Sequence, residues 1–443
     1  MEHIVVIGNG IAGATAARHI RKLSNKKITM ISAESDNFFS RTALMYVYMG
    51  HMRFEEIEPY PRNFWKDNEI NCLKDYVVKI DFSKKELTLS QKGGFTYDKL
   101  ILALGSKPNK FGWKGEDLEG VQGLYSKQDL ELMEQNTKGI SKAVIIGGGL
   151  IGVEMAEMLL SRNIAVDILV RDDHFWGSVL PDSDAAFVEK HLALHHGLRV
   201  ICNEELEEVL ADEQGRVKAV KTKNSKEEIP CQFVGLTAGV SPNVDFLKDS
   251  ELDVGRGIKV DRKLATNIKD VYAIGDCTEQ LEPVGERRGI EQVWYTGRIM
   301  GETVAQTICE NPTVYSPGNW FNSAKFFDLE YQTYGWVFNK LKAGEAEFVY
   351  QNEAIHLHFV YDKQEESLIG VNSFGLRLRH DVFDHWLSKG AKMDEVIADL
   401  QSAFFDPEFY KNYYRNILAC YNKDLQKNIS PKKKQWWRKL INA

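Results

Sequence analysis

Gly8, Gly10 and Gly13 stand in a GxGxxG spacing between the apolar run HIVVI and an alanine-rich stretch. Around a pyrophosphate each glycine has its own physical task. Gly8 permits a tight turn, Gly10 lets the backbone approach the phosphates, and Gly13 lets helix and strand pack closely while the helix N-terminus faces the anion. Ile11 and Ala12 fill the remaining places of that loop. Glu34 follows 21 residues after Gly13, at the end of KITMIS, where a carboxylate can accept from ribose hydroxyls. A glycine-rich structural turn is the alternative, but strand, helix and acid in register favour dinucleotide binding. KAVIIGGGLIGVEMAEML repeats the arrangement with Gly147, Gly149 and Gly152 and with Leu150 and Ile151 inside the loop, so two dinucleotides are implied. After the next strand, IAVDILV, the position of the acid falls on Val170, followed by Arg171, Asp172 and Asp173. An acid there favours NAD, whereas an arginine can pair with the 2′-phosphate of NADP. The two aspartates can neutralise Arg171, so NADH and NADPH both stay open.

The elements that must carry these loops are visible in the periodicity. Strand and helix signals alternate from residue 3 to about 310, the pattern of α/β units on parallel sheets. Beyond about 315, EFVYQ, IHLHFVYD and SLIGVNSFG read as strands, and DVFDHWLSKG and MDEVIADLQSAF as helices. The expected fold class is therefore α/β, with two Rossmann-like dinucleotide-binding domains and a C-terminal α+β domain. The boundaries predicted are 1–115 and 241–320 for one dinucleotide domain, 116–240 for the other, and 321–443 for the appendage. A chain of 443 residues has room for two or three cores. Its 63 acids against 56 bases, net charge −7, argue against nucleic-acid binding. No apolar run approaches the roughly 18 residues of a membrane span, and HIVVIG begins at residue 3 with no signal peptide before it. A cytoplasmic location is the default expectation.

Two fingerprints about 140 residues apart, with YDKLILALGSKP (97–108) between them and NIKDVYAIGDCTE (267–279) after, resemble the FAD-dependent pyridine nucleotide-disulfide oxidoreductase superfamily over roughly residues 1–340. The resemblance implies FAD on the first fingerprint and NAD(P)H on the second. It places Gly275 and Asp276 at the ribityl and phosphate region of FAD. It also implies cofactor contacts for Ala103 and Gly105, although Leu104 replaces the usual threonine of that motif and removes a hydroxyl. Val78, in VVKIDFSKKELTL, resembles the hairpin whose backbone reads adenine, and Gly239, in TAGVSPN, the return crossover from the nicotinamide domain. GIEQVWYTGRIMGETVAQTI (289–308) resembles the helix whose N-terminal turn faces the flavin, with Glu291 and Trp294 at flavin-proximal positions.

Within this family the route by which electrons leave the flavin defines the function. The six cysteines, Cys72, Cys202, Cys231, Cys277, Cys309 and Cys420, are scattered, which excludes CxxC and CxxxxC redox pairs and zinc-type spacing and reads as buried reduced thiols. The segment after the ribose acid, NFFSRTALMYVYMG (37–50), contains none. That resembles the branch without a thiol relay: rubredoxin and ferredoxin reductases, the flavin half of nitrite reductases, and apoptosis-inducing factor. Arg41 keeps that branch's arginine, which can pair with the FAD pyrophosphate. Tyr46 replaces a lysine whose usual glutamate partner survives as Glu154. Tyr46 can donate a hydrogen bond to Glu154 or can simply pack on the ring, but it carries no positive charge. Tyr46 and Glu154 are the candidate catalytic residues. The leading expectation is an NAD(P)H oxidoreductase passing electrons to a separate ferredoxin- or rubredoxin-type protein. An oxidase or small-molecule reductase is the second, and a flavin-bearing sensor subunit the third.

Two side-chain pairs at helical spacing, His191 with His195 and Asp381 with His385, show no third ligand, so they read as solvated helix faces and no metal is expected. The tail KNISPKKKQWWRKLINA has six basic residues and no acid, and is expected to lie outside the compact body. Its Trp436 and Leu440, and Trp437 and Ile441, suit a short helix on an acidic membrane surface or partner; a solvated tail is the alternative. The resemblance is also compatible with a homodimer through the C-terminal domain.

Overall fold

The computed structural model of the chain describes residues 1–405 and 411–432. Trp436, Trp437, Leu440 and Ile441 lie outside the described residues. The chain divides into two compact units, Met1–Leu169 with Glu204–Pro317, and Val170–Asn203 with Gly318–Ala443. The stretch 116–240 is thus shared, because residues 170–203 belong with the second unit.

In the first unit, strands of β-branched and leucine residues run parallel in the order Val271–Ala273, Lys99–Leu102, His3–Ile7, Lys27–Ser32, Ile70–Lys74. These strands read as near-continuous apolar runs because both faces are covered, as parallel sheets require. The helix Ile11–Leu23 buries its alanines, and the helix Trp294–Ile308 lies directly against it. A Cβ at Gly301 would come within 2.6 Å of the Ala12 carbonyl oxygen, so only glycine permits that approach. A second parallel array runs Ala165–Leu169, Lys142–Ile146, Phe233–Leu236, Val121–Gln122, and carries the helix Leu150–Leu160. The stretch 289–308 is helical only from Trp294; Val293 is extended, at φ −129°, so Glu291 precedes the helix.

The second unit is an antiparallel sheet in the order Phe321–Phe326, Leu329–Gly335, Leu368–Phe374, His356–Asp362, Glu345–Gln351. The helices His380–Ser388, Met393–Asp399 and Tyr414–Asp424 share its hydrophobic core. The start of the basic tail is tied to this core and does not lie outside it. Lys427 pairs with Asp394 and Glu366, Lys432 with Asp399, and Ile429 packs on the cluster. Acids on the C-terminal helices supply the attraction that the tail's own composition does not reveal.

The helix Asp182–Leu192 belongs to the same unit and is fastened by a fully buried carboxylate. Asp184 Oδ1 accepts from His356 Nε2 at 2.8 Å and His358 Nδ1 at 2.7 Å, and Oδ2 accepts from Asn372 at 2.8 Å. His358 Nε2 also meets Glu347 at 3.0 Å. Burial works against charge on both sides, yet the hydrogen bonds from His356 and His358 hold the Asp184 carboxyl far below its usual range. For His358, burial is likewise outweighed, here by Asp184 and Glu347, and its pKa is raised above 6.5. The linkage follows in sign. Asp184 contributes stability above its unfolded value, near 3.8, and loses it as pH falls through the lower folded value. His358 contributes fully below its unfolded value, near 6.5, and loses it as pH rises through the higher folded value. The pair is therefore at full strength between about 3.8 and 6.5. In urea titration at pH 6, Asp184→Asn is expected to cost about 3–5 kcal/mol, because it takes from the buried His358 imidazolium its buried anion and leaves only the half-exposed Glu347. The penalty should shrink as pH rises past the folded His358 value. A penalty that does not vary with pH would show that the charge contributes nothing.

Candidate functional site

The first unit contains a cleft of about 610 Å³ at the first glycine turn, with Ile151 and Glu154 of the helix Leu150–Leu160 also on its wall. Among the residues expected to act, Gly8, Gly10, Ile11, Ala12, Glu34, Arg41, Ala103, Gly105, Ile151, Glu154, Gly275, Asp276 and Trp294 line it.

The three glycines of the first turn separate into three physical cases. Gly8 has φ +107°, and a Cβ there would meet the Ala103 carbonyl at 2.0 Å. Gly13 lies against the Gly8 carbonyl, 2.0 Å from where a Cβ would sit. Gly10 has an ordinary φ of −68° and nothing within 4 Å of a Cβ position, yet it lines the cleft. Neither conformation nor packing requires glycine at Gly10. What its missing side chain provides is room for a group in the cleft to reach the backbone. The second turn repeats this sorting: Gly147 has φ +117°, Gly152 packs on the Gly147 carbonyl, and Gly149 faces open space. Leu150 begins the helix Leu150–Leu160. Gly239, at φ +90°, forms the turn whose carbonyl accepts from Asn109 N–H.

Glu34 and Arg41 form a two-toothed ion pair at 2.6 and 2.8 Å on the cleft wall. The fork geometry matches guanidinium to carboxylate. The backbone N–H of Lys127, at the start of the helix Lys127–Asn136, also donates to Glu34 Oε1 at 2.8 Å, adding a helix N-terminus to the anion's partners. A carboxylate has roughly four acceptor sites. Arg41 and Lys127 use both sites of Oε1 and one of Oε2, which leaves Oε2 one acceptor site for a hydroxyl.

Arg41 also stacks over the Tyr125 ring at 4.4 Å and donates to the Tyr125 carbonyl at 2.5 Å. The Tyr125 hydroxyl accepts from Ser106 N–H at 2.9 Å and donates to Asp276 Oδ2 at 3.1 Å. Gln292 completes the chain by donating to Ser106 Oγ at 2.7 Å. Burial lifts the Asp276 carboxyl above its ordinary range, opposed by the Tyr125 hydrogen bond and the Arg41 charge. Burial likewise pushes the Tyr125 phenol up, so it stays a proton donor. Tyr125, Ser106 and Gln292 were not singled out from the sequence. Tyr125 lies one residue before the capping box of Ser126 and Asp129, a signal that marks the helix start but not the tyrosine's role.

Besides the turn residues Gly13, Gly147, Gly149, Leu150, Gly152 and Gly239, four expected residues stand elsewhere than on the cleft wall. Val78 is half-exposed, and Val77 faces the cleft. The strand register shifts between Val77 and Lys79, so Val78 sits at a bulge, out of the ladder. Glu291 forms a buried ion pair with Arg287 at 2.8 Å, and burial raises its carboxyl pKa, while Gln292 lines the cleft. In the short helix Leu44–Tyr48 it is Leu44 and Met45 that line the wall, and Tyr46 stacks on His51 at 6.3 Å between ring centres. Tyr48 anchors this helix: its hydroxyl meets Thr137 at 2.7 Å, and Arg162 lies 3.6 Å over its ring and bonds its carbonyl. Arg171, in the other unit, is exposed and 3.5 Å from Asp172.

Residues 2–301 match the pyridine nucleotide-disulphide oxidoreductase family. The chain belongs to this family. It is an FAD-dependent NAD(P)H oxidoreductase of mixed α/β fold. It is 31% identical over 337 residues to the 5,5'-dehydrodivanillate O-demethylase ferredoxin reductase subunit of Sphingobium sp., spanning 75% of this chain and 81% of that protein. It is 30% identical over 318 residues to the NADH oxidase of Methanocaldococcus jannaschii, spanning 68% of this chain and 69% of that one. Its fold resembles that of an NAD-dependent persulfide reductase from A. fulgidus, with a TM-score of 0.80 at 24% identity, across 96% of this chain and 83% of the other.

All six cysteines are free. Cys277, next to Asp276, is wholly buried, and burial pushes its thiol up to about 12. Burial also raises Cys72 and Cys202 to about 11 and Cys231 to about 12. At pH 7 a thiol titrating near 11 is thiolate on the order of one part in ten thousand. Native protein treated with iodoacetamide should therefore keep its NAD(P)H:ferricyanide activity within about twofold. Inactivation in step with labelling of Cys277 would mean that a thiol carries electrons after all.

Proposed function

We propose that this enzyme takes hydride from NAD(P)H onto FAD and hands the electrons to a separate carrier protein of the iron-sulfur or rubredoxin type. The observation that carries this reading is the cleft itself: the first glycine turn shares it with Ile151 and Glu154, from the helix that follows the second glycine turn, and Cys277 beside it is buried. When bound, FAD supplies the conversion of a hydride into electrons that leave singly or as a pair.

The chain's own groups bind and orient. Gly8, Gly10, Ile11, Ala12 and Gly13 form the turn that admits the FAD pyrophosphate, and Glu34 offers its remaining Oε2 site to a ribose hydroxyl. Arg41 is close enough to share its guanidinium between Glu34 and phosphate oxygens. Ala103, Gly105, Gly275 and Asp276 hold the ribityl side, with Tyr125 fixing the Asp276 oxygen. The bulge at Val78 offers backbone to adenine. Trp294 and the helix it begins bring a positive dipole end to the cleft. Gly147, Gly149, Leu150, Ile151, Gly152 and Gly239 form the nicotinamide-dinucleotide turn, and Glu154 lies where it can orient the nicotinamide or hold a proton. Glu291, paired with Arg287, acts as support for the residues ahead of the helix.

The Sphingobium relative, named a ferredoxin reductase subunit, supports a carrier-protein acceptor. The Methanocaldococcus relative, named an NADH oxidase, favours a second reading in which dioxygen takes the electrons. Anaerobic stopped-flow reduction with NADH and with NADPH, followed by mixing with ferredoxin, rubredoxin, dioxygen or quinone, separates them. Turnover on the order of 10 per second with a carrier protein is expected. Rapid turnover with dioxygen or quinone alone would sink the carrier-protein reading. The turn assignment has its own test. Gly10→Ala should fold within about 0.5 kcal/mol of the parent apoprotein, since the added Cβ has nothing within 4 Å. Its FAD affinity should fall at least about tenfold, equivalent to about 1.4 kcal/mol. Unchanged FAD affinity would remove Gly10 from the site.

A further inference from the structure

The pair His191 and His195, without a third ligand in the sequence, acquires one in the structure. Asp328 lies 137 positions along the chain from His191 and places Oδ1 2.7 Å from His191 Nε2. The same oxygen is 3.3 Å from His195 Nε2. The three donor atoms lie within 4.8 Å of one another, all inside the second unit. His195 Nε2 is buried and has no hydrogen-bond partner of acceptable geometry among the described residues. A buried imidazole nitrogen normally finds one.

The supporting backbone is unusual. Phe326 pairs with Leu329, leaving Phe327 and Asp328 as a two-residue hairpin turn. Phe327 occupies its first place with φ +59°, where glycine is the usual residue and a bulky side chain is strained. Its ring stacks on His195 at 4.2 Å. That contact fixes the imidazole plane and holds the turn that presents Asp328. Strain of this kind persists where surrounding contacts over-determine the backbone, often at functional sites.

We propose that His191, His195 and Asp328 form a binding site for one divalent transition-metal ion, with zinc as the best-fitting occupant. Tetrahedral zinc with bonds of about 2.0–2.1 Å keeps its ligand atoms roughly 3.3 Å apart. The His195 to Asp328 separation already has that value, and the His191 to Asp328 contact needs to open by only about 0.6 Å. Two imidazoles and one carboxylate suit a borderline ion, and three protein ligands leave a fourth position for water. The Asp328 side chain is 76% exposed, so an ion can enter from solvent. The second group of possible ligands, Asp184, His356 and His358, lacks such access: it is wholly buried, and its donors and acceptors satisfy one another. An ion bound here would tie the turn after the helix Asp182–Leu192 to the hairpin Phe326–Leu329.

The test uses full-length holoenzyme stripped with EDTA and titrated with Zn²⁺ by calorimetry, alongside Asp328→Asn, His195→Gln and Asp381→Asn. Wild type and Asp381→Asn should bind one ion per chain and show a raised Tm with Zn²⁺. Asp328→Asn and His195→Gln should bind at least about tenfold more weakly, since even outer-shell partners of a metal carry that much. Because Asp328 is an exposed turn residue, Asp328→Asn should keep the fold, which its metal-free Tm verifies. Co²⁺ substitution should give the intense visible bands of a four-coordinate site in wild type and Asp381→Asn but in neither ligand variant. Absence of stoichiometric Zn²⁺ binding in wild type overturns the proposal. So does binding that both ligand variants retain.

Discussion

The cleft is organised by one ion pair. Arg41 grips Glu34 with both terminal nitrogens and lies across Tyr125, whose hydroxyl reaches Asp276. Four stretches of chain thereby meet: the end of the second strand, the loop of NFFSRTALMYVYMG, the segment ahead of the helix Lys127–Asn136, and the turn after Val271–Ala273. With two acids and one guanidinium brought together in a partly buried site, each charge depends on the others. Removing Arg41 would leave Glu34 held by a helix N-terminus alone and would take from Asp276 its nearest positive charge.

The two glycine turns show why a motif can be degenerate in sequence yet exact in physics. Gly8 and Gly147 answer to backbone conformation, Gly13 and Gly152 to packing, and Gly10 and Gly149 to neither. A purely structural turn would need only the first two kinds. The middle glycine is the one that neither the conformation nor the packing of the polypeptide requires.

Much of this was legible in the sequence because it is local. Strand, turn and helix follow one another within about thirty residues in a βαβ unit, so periodicity and spacing located both turns, and GD and ALGS marked their partners. In the C-terminal region, IHLHFVYD and SLIGVNSFG were readable as strands for the same reason. What escaped is long-range. Tyr125 is one aromatic among many until Ser106 and Asp276 close around it. His358 gives no sign that Asp184, 174 positions earlier, will share its proton, and Asp328 gives none that His191 lies opposite. Residues 170–203 read as a continuation of the nicotinamide domain because their α/β pattern is uninterrupted, yet they cluster with the second unit, where Asp184 meets His356 and His358. Glu291 was placed on a helix because GIEQVW runs into a helical pattern without a break, while the extended Val293 starts that helix later.

The same comparison sharpens what NFFSRTALMYVYMG contributes. Its one charged residue, Arg41, is committed to Glu34 and Tyr125; its helix is pinned by Tyr48 against Thr137 and Arg162; and it offers Leu44 and Met45 to the cleft. Leu104 and Trp294 line the cleft as well. These are side chains that exclude water and supply neither a nucleophile nor a cation. The segment's part is therefore to shape the wall and keep water from it, and among the described residues no cysteine lines that wall.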